Sequence, residues 1–126
     1  MRVIPVIHCR NVQRSLTLYR DILGFQKKFA EDSDDDWVLD LVREGAEIQL
    51  SQHGGDGAYG CAVNIRMEGP LGSVDALFRE FTARGLNTDH PGSPVHQGPT
   101  NQSWGMREFY VTDEDGNTLR FGEPIQ

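Results

Sequence analysis

The sequence predicts an α+β fold built from two similar βαβββ modules. Apolar residues alternate along short segments and recur at helical spacing between them, and the same order of elements occurs twice along the chain. The first module covers about residues 1–53, residues 54–58 form a glycine-rich linker, and the second module covers about residues 59–126. Because 126 residues is the size of one domain, we expect residues 1–126 to form a single domain.

The first module is predicted to contain a strand, a helix and three further strands. An apolar run predicts a strand at residues 3–7, and Asn11 is suited to cap the helix that follows. Apolar residues continue at helical spacing to Leu23, and Gly24 ends the pattern. The three remaining strands are expected at residues 25–30, 37–42 and 46–52.

The second module repeats this order and adds an insertion. A strand at residues 62–67 precedes a helix that Ser73 is suited to cap, and two strands follow at residues 106–112 and 117–121. The insertion at residues 87–103 is rich in proline and glycine. We therefore expect a long irregular loop there, and such loops are usually functional or mobile.

The strands of both modules have one apolar and one polar face. Ile48 and Leu50 point away from Gln49, and the strand after the linker turns Asn64 to the side opposite its apolar residues. Arg120 holds the corresponding polar position on the last strand. We expect the helices to cover the apolar faces, so that a curled mixed sheet forms a cup lined by the polar residues.

Composition and charge exclude several classes of function. The net charge of −7 leaves no basic face for nucleic acid or for an anionic membrane surface. The absence of a long apolar stretch and of a secretion signal predicts a cytoplasmic protein. Cys9 and Cys61 each lack a nearby cysteine partner and are expected to be free thiols. No serine-nucleophile or phosphate-binding motif is present.

Three segments carry a resemblance to a known family. The first predicted helix, residues 11–25 (NVQRSLTLYRDILGF), and the last turn, residues 113–117 (DEDGN), resemble the vicinal oxygen chelate superfamily. That superfamily includes glyoxalase I, extradiol dioxygenases, fosfomycin-modifying enzymes and bleomycin resistance proteins. Residues 102–109 (QSWGMREF) are similar to a stretch of the bleomycin resistance group in particular. The resemblance spans the whole chain and implies the same two-module fold.

The resemblance also identifies where a metal would be held. The enzymes of the superfamily bind a divalent metal through four inward-facing side chains, and the matching positions here are Ile4, Gln49, Ala62 and Arg120. Isoleucine and alanine have no donor atom, and arginine is a permanent cation. One neutral amide oxygen from Gln49 does not hold a divalent ion. We therefore expect no metal and no other cofactor.

Two alternatives remain open. A metal-dependent lyase, isomerase or dioxygenase could use a non-standard site built from His8, Gln49 and Glu108. A degenerate family member could instead act as a binding module for a partner. The other three histidines lie on predicted loops and are expected to be solvated: His53, His90 and His96.

The bleomycin resistance resemblance implies a ligand site in a groove between two subunits. It places the planar rings of a drug against Trp104 and against an aromatic residue near Trp37. The acidic run at residues 31–36 either attracts a cationic drug tail or is a solvated loop, whereas Arg66 disfavours a cation inside the cup. The expected function is metal-free sequestration of a planar, bleomycin-like antibiotic by a homodimer. The expected ligand-binding residues are Asp32, Trp37, Gln49, Asn64, Trp104, Glu108 and Arg120.

Overall fold

The computed structural model describes residues 1–125 and contains two compact units, each built around its own four-stranded mixed sheet. The N-terminal unit comprises Met1–Cys61 together with Asp113–Asn117. The C-terminal unit comprises Ala62–Thr112 and the chain from Thr118 onward. The expected α+β fold with a repeated βαβββ order is confirmed.

The N-terminal unit has one helix and four strands. Its elements are β1 (Val6–His8), α1 (Val12–Tyr19), β2 (Gln26–Lys27), β3 (Val38–Arg43) and β4 (Ala46–Ser51). The sheet order is β1-β4-β3-β2, and β1 runs parallel to β4. One stripe of α1 and alternate residues of the strands are fully buried, and these apolar side chains form the core of the unit.

Three elements in this unit are clearly shorter than predicted, and one of them is β2, which covers only Gln26–Lys27 of the strand predicted at residues 25–30. The strand predicted at residues 3–7 begins only at Val6, and Val3 is 91% exposed. The regular helix ends at Tyr19 instead of Leu23. Beyond Tyr19 the backbone widens, because the amide of Leu23 bonds to the carbonyl of Leu18, five residues back. Gly24 then ends the segment with a φ of 73°.

The C-terminal unit repeats this arrangement with one extra helix. Its elements are β5 (Ala62–Arg66), α2 (Ser73–Ala83), α3 (Pro94–Gln97), β6 (Thr100–Asn101), β7 (Met106–Thr112) and β8 (Thr118–Pro124). The sheet order is β5-β8-β7-β6, and β5 runs parallel to β8. Three rings join α2 to the sheet, since Phe81 lies 5.3 Å from Phe121 and 5.8 Å from Phe109. Helix α2 therefore covers the apolar side of this sheet.

The start of α2 and the insertion both differ from expectation. Ser73 does not cap the helix, because the cap position is occupied by Gly72, which has no side chain to accept a capping hydrogen bond. The buried carboxylate of Glu123 on β8 replaces it by accepting from the amides of Gly72 and Val74, at 3.1 and 3.4 Å. The insertion at residues 87–103 is not wholly irregular, since it contains α3 and β6. No helix within residues 1–125 combines the length and apolarity needed to cross a membrane.

Candidate functional site

The side of the C-terminal sheet that faces away from α2 carries a row of polar side chains. Strand register places Arg120 of β8 between Asn64 of β5 and Tyr110 of β7. The next row contains Arg66, Gly122 and Glu108 in the same order. We call this surface the C-terminal polar face, defined by Asn64, Arg66, Glu108, Tyr110, Thr112 and Arg120. It brings together three of the residues expected to bind ligand: Asn64, Glu108 and Arg120.

Tyr110 is fixed at the centre of this face. Its hydroxyl donates to Oε1 of Glu108 at 3.3 Å, and the edge of its ring meets the ring of His96 at 5.9 Å. The guanidinium carbon of Arg120 lies 5.5 Å from the ring centre. Burial raises the pKa of Tyr110, and the Glu108 carboxylate raises it further. The phenol is therefore a neutral hydrogen-bond donor at pH 7.

Glu108 lies flat on the sheet because Gly122 leaves room for it. A Cβ at position 122 would come within 2.9 Å of Cγ of Glu108 and 3.4 Å of Cε of Met106. Glu108 is only 5% exposed although it faces the polar side. A glycine inside a strand often marks such a close approach, so Gly122 is a signal in the sequence for a side chain that packs against this strand.

His96 is not simply solvated, contrary to expectation. Hydrogen bonds join its Nδ1 to the Ser93 hydroxyl at 2.7 Å and its Nε2 to the Thr112 hydroxyl at 2.8 Å. The Thr112 hydroxyl also bonds to that of Thr118 at 2.9 Å. Burial lowers the pKa of His96, and the nearby ring of His90 lowers it further. His96 therefore stays neutral at pH 7 and connects α3 to β7.

Trp104 occupies the tip of the β6–β7 hairpin. The turn is closed by the amide of Gln102 bonding to the carbonyl of Met106 at 2.7 Å, and Gly105 has a φ of 84°. The indole is 61% exposed. The structure thus places Trp104 outside the core, as a ligand-stacking residue requires.

The remaining predicted ligand residues lie in the N-terminal unit. Gln49 faces the polar side of that sheet, where its Nε2 donates to Oδ1 of Asp40 at 2.9 Å. Trp37 immediately precedes β3 and is 57% exposed, with its ring 5.5 Å from that of His53. Asp32 accepts a hydrogen bond from Nζ of Lys27 through its backbone carbonyl.

The acidic run at residues 31–36 is partly neutralised by bases from outside the run. Asp34 accepts hydrogen bonds from Arg20 at 2.8 Å and from Lys27 at 2.9 Å. These two hydrogen bonds, that of Arg20 above all, hold the pKa of Asp34 below its usual range. The run therefore attracts a distant cation less strongly than its sequence indicates.

The donor chemistry does not fit a metal at the positions that the resemblance implies. Ile4 and Ala62 offer no donor atom, and Arg120 is a cation held over Tyr110. His8 is 5% exposed, lies edge-on to the Tyr59 ring at 4.5 Å, and has no hydrogen-bond partner for Nδ1. Within the part of the chain that the structure describes, no three His, Cys, Asp or Glu residues are grouped to hold a metal ion.

The turn at residues 113–117 has a structural role in the N-terminal unit. The buried carboxylate of Asp113 accepts from the Tyr19 hydroxyl at 2.7 Å and from Nδ2 of Asn117 at 2.9 Å. Asn117 in turn donates to the carbonyl of His8 at 2.8 Å. Burial raises the pKa of Tyr19, and the Asp113 charge raises it further, so the phenol remains a donor. These polar atoms therefore form hydrogen bonds with one another inside the unit.

Comparison with known proteins finds one matching family model and several solved structures of similar fold. A family model described as "Glyoxalase superfamily protein" matches residues 1–126. A bleomycin resistance determinant encoded on the transposon Tn5 is 20% identical, with a TM-score of 0.74 and 98% of each chain covered. A bleomycin-binding protein complexed with bleomycin has a TM-score of 0.71 at 20% identity, again over 98% of each chain.

A third solved structure is a bleomycin-binding protein from bleomycin-producing Streptomyces verticillus, complexed with copper(II)-bleomycin. It is 25% identical with a TM-score of 0.66, over 96% of this chain and 93% of that one. No curated protein sequence matches the chain.

Proposed function

This chain belongs to the glyoxalase superfamily, and we propose that it is a metal-independent binding protein that sequesters a planar small molecule. The named candidate is a bleomycin-like antibiotic. Sequestration breaks no bond in the ligand and needs only a surface that holds it. The observation that carries the proposal is the C-terminal polar face, where Arg120 stands at a position that the resemblance assigns to a metal ligand and lies over the ring of Tyr110.

The polar face supplies what a binding site requires. Small-molecule sites combine apolar or aromatic surface with a few fixed polar groups. Tyr110 is held by Glu108, His96 and Arg120, so its orientation is set before a ligand arrives. Such preorganisation reduces the ordering cost of binding. Trp104, in the same unit, adds a large exposed ring suited to stacking.

The relatives support binding as the general function. Two of the solved structures are described as bleomycin-binding proteins in complex with bleomycin or copper(II)-bleomycin, and a third as a bleomycin resistance determinant. Identities of 20–25% leave the ligand of this chain to be decided by its own residues. Homodimerisation is part of the proposal, since the resemblance implies a groove completed by a second subunit.

Titration with metal-free bleomycin tests the proposal, with bleomycin fluorescence as the readout. We expect saturable binding by protein that has been treated with chelator. Trp104→Ala should weaken binding about tenfold, because both stacking and buried area are lost. The melting temperature of the Trp104→Ala variant should stay within a few degrees of that of the wild type, because the indole is 61% exposed.

Phe29→Ala is the matched control, because Phe29 is an exposed aromatic residue (42%) in the other unit. It should leave bleomycin binding unchanged. Absence of binding at millimolar bleomycin would show that the named ligand is wrong. Metal independence would be rejected if each chain held one zinc, nickel, iron or manganese ion tightly and if that ion restored bleomycin binding that the chelator had removed.

A further inference from the structure

The C-terminal polar face has a local charge opposite to that of the whole chain. Among the described residues of β5 to β8, its charged side chains are Arg66, Arg120 and Glu108. His96 beside the face is neutral at pH 7, since its pKa is lowered, and Tyr110 is neutral because its pKa is raised. Two guanidinium groups and one carboxylate leave a net positive charge, in a chain whose net charge is −7.

The two arginines on this face have no carboxylate partner among residues 1–125. Most other arginines do, as shown by Arg107 with Asp75 at 2.8 Å and Arg14 with Glu114 at 2.6 Å. The ring of Tyr110 is the described contact of Arg120, and no ion pair or hydrogen bond joins Arg66 to a described side chain. In a strongly acidic protein, two cations without an anionic partner on one sheet face are an unusual arrangement.

The charge of Glu108 does not cancel the cationic end of the face. Glu108 stands on β7, with the whole width of β8 between it and Arg66 on β5. Neighbouring strands are about 4.8 Å apart, so the backbones of Glu108 and Arg66 are separated by roughly 10 Å. The Glu108 carboxylate is also 5% exposed and accepts the Tyr110 hydroxyl. The cationic end of the face therefore lies at Arg66 on β5, which is separated from Glu108 by β8.

We propose that the β5–β8 edge of this face, formed by Arg66, Asn64 and Arg120, binds the acidic group of a planar aromatic carboxylate. This inference rests on the proposed function and adds the chemical class of its ligand. Arginine presents several N–H donors in one plane and matches the two oxygens of a carboxylate. The amide of Asn64 lies in register with Arg120 and supplies a further donor. The aromatic part of the ligand stacks beside Tyr110.

A site of this kind would bind acidic ligands in preference to purely cationic ones. A cation placed at Arg66 and Arg120 would meet like charge, whereas an anion there gains two charge-assisted hydrogen-bonding partners. A neutral ligand of the same shape would keep the stacking and lose the charge-assisted contacts. The difference between an acid and its neutral isostere therefore measures the contribution of the two arginines.

The test compares 2-naphthoate with 2-naphthamide, which have the same ring and differ in charge. We expect the wild type to bind the carboxylate at least about tenfold more tightly at low ionic strength, measured by calorimetry. Arg120→Met and Arg66→Met should each remove most of this preference, measured as the ratio of the affinities for the carboxylate and the amide. High salt should reduce the preference, because the two guanidinium groups are exposed.

Arg79→Met is the matched control. Arg79 is an exposed arginine on α2, which covers the opposite side of the same sheet. The variant makes the same change in net charge and should keep the full preference for naphthoate. Equal affinity for acid and amide in the wild type, or an equal loss in the Arg79 and Arg120 variants, would overturn the inference.

Bleomycin binding, measured on the same protein, separates the inference from the proposed function. If bleomycin binds and naphthoate does not at millimolar concentration, the acidic-ligand inference is wrong and the binding function stands. If neither ligand binds, both are rejected. If naphthoate binds with the expected arginine dependence and bleomycin does not, the carboxylate class is supported and the named antibiotic is wrong.

Discussion

Removing the Asp113 carboxylate should destabilise the N-terminal unit without touching a ligand site. The carboxylate accepts four buried hydrogen bonds, from the Tyr19 hydroxyl, the amides of Asp115 and Asn117, and Nδ2 of Asn117, at 2.7 to 2.9 Å. Asp113→Ala leaves all four donors without this acceptor. At about 1 kcal/mol or more for each stranded buried donor, the free energy of unfolding should fall by roughly 4 kcal/mol.

The same hydrogen bonds predict how much stability a second substitution, at Tyr19, should cost. Tyr19→Phe removes one hydrogen bond to the charged group, and about 1.5–3 kcal/mol should be lost. In the double variant the stranded Tyr19 hydroxyl no longer exists, so the two losses should not add. We expect a coupling of about 1–2 kcal/mol between Asp113 and Tyr19 in a double-mutant cycle.

Urea unfolding followed by circular dichroism measures these differences. Glu114→Ala is the control, because Glu114 lies in the same turn and makes only a surface ion pair with Arg14. Its loss should cost at most about 1 kcal/mol. If Asp113→Ala costs no more than Glu114→Ala, the structural role assigned to the carboxylate is wrong. A folded Asp113→Ala protein that fails to bind ligand would also contradict the reasoning.

Two further predictions concern pH and assembly. Because the pKa of His96 is lowered in the folded protein, the unfolded chain takes up the proton first, and stability should fall as pH drops through about 6.5. His96→Gln should flatten this fall in urea unfolding, whereas His53→Gln, an exposed control, should not. We also expect sedimentation at micromolar concentration to give about twice the 14.1 kDa chain mass. Val6→Glu, at a 43% exposed position on the edge strand β1, should give monomer, and a monomeric wild type would reject the dimer.

The face assignments were predictable because they depend on a local rule. Side chains alternate along a strand, so Gln49, Asn64 and Arg120 had to lie opposite their apolar neighbours. The repeated order of elements was predictable for the same reason, since periodicity and glycine turns are read over a few residues. The register between strands then decided which polar residues became neighbours, and no local pattern contains that information.

The features that the sequence did not predict depend on contacts between residues that lie far apart in the chain. The cap of α2 comes from Glu123, about fifty residues beyond Gly72, and so the nearby Ser73 was chosen wrongly. His96 was assigned to solvent because its partner Thr112 lies on another element. The ion pairs of Asp34 with Arg20 and Lys27 were not predicted, since both bases lie outside the acidic run at residues 31–36. Short-range propensities cannot report such pairings.

The segments that identify the family are largely those that hold the fold together. Arg107, in the stretch that resembles bleomycin resistance proteins, forms two hydrogen bonds to Asp75 and thereby ties β7 to α2. Those hydrogen bonds lower the pKa of Asp75, so the pair stays ionised at neutral pH. The next residue, Glu108, has the opposite orientation and faces the polar side. Structural and ligand-facing positions therefore alternate along one strand. A match to such a motif specifies the scaffold, whereas the ligand is chosen by the residues on the polar face, and we propose that in this chain Arg66 and Arg120 favour an acidic one.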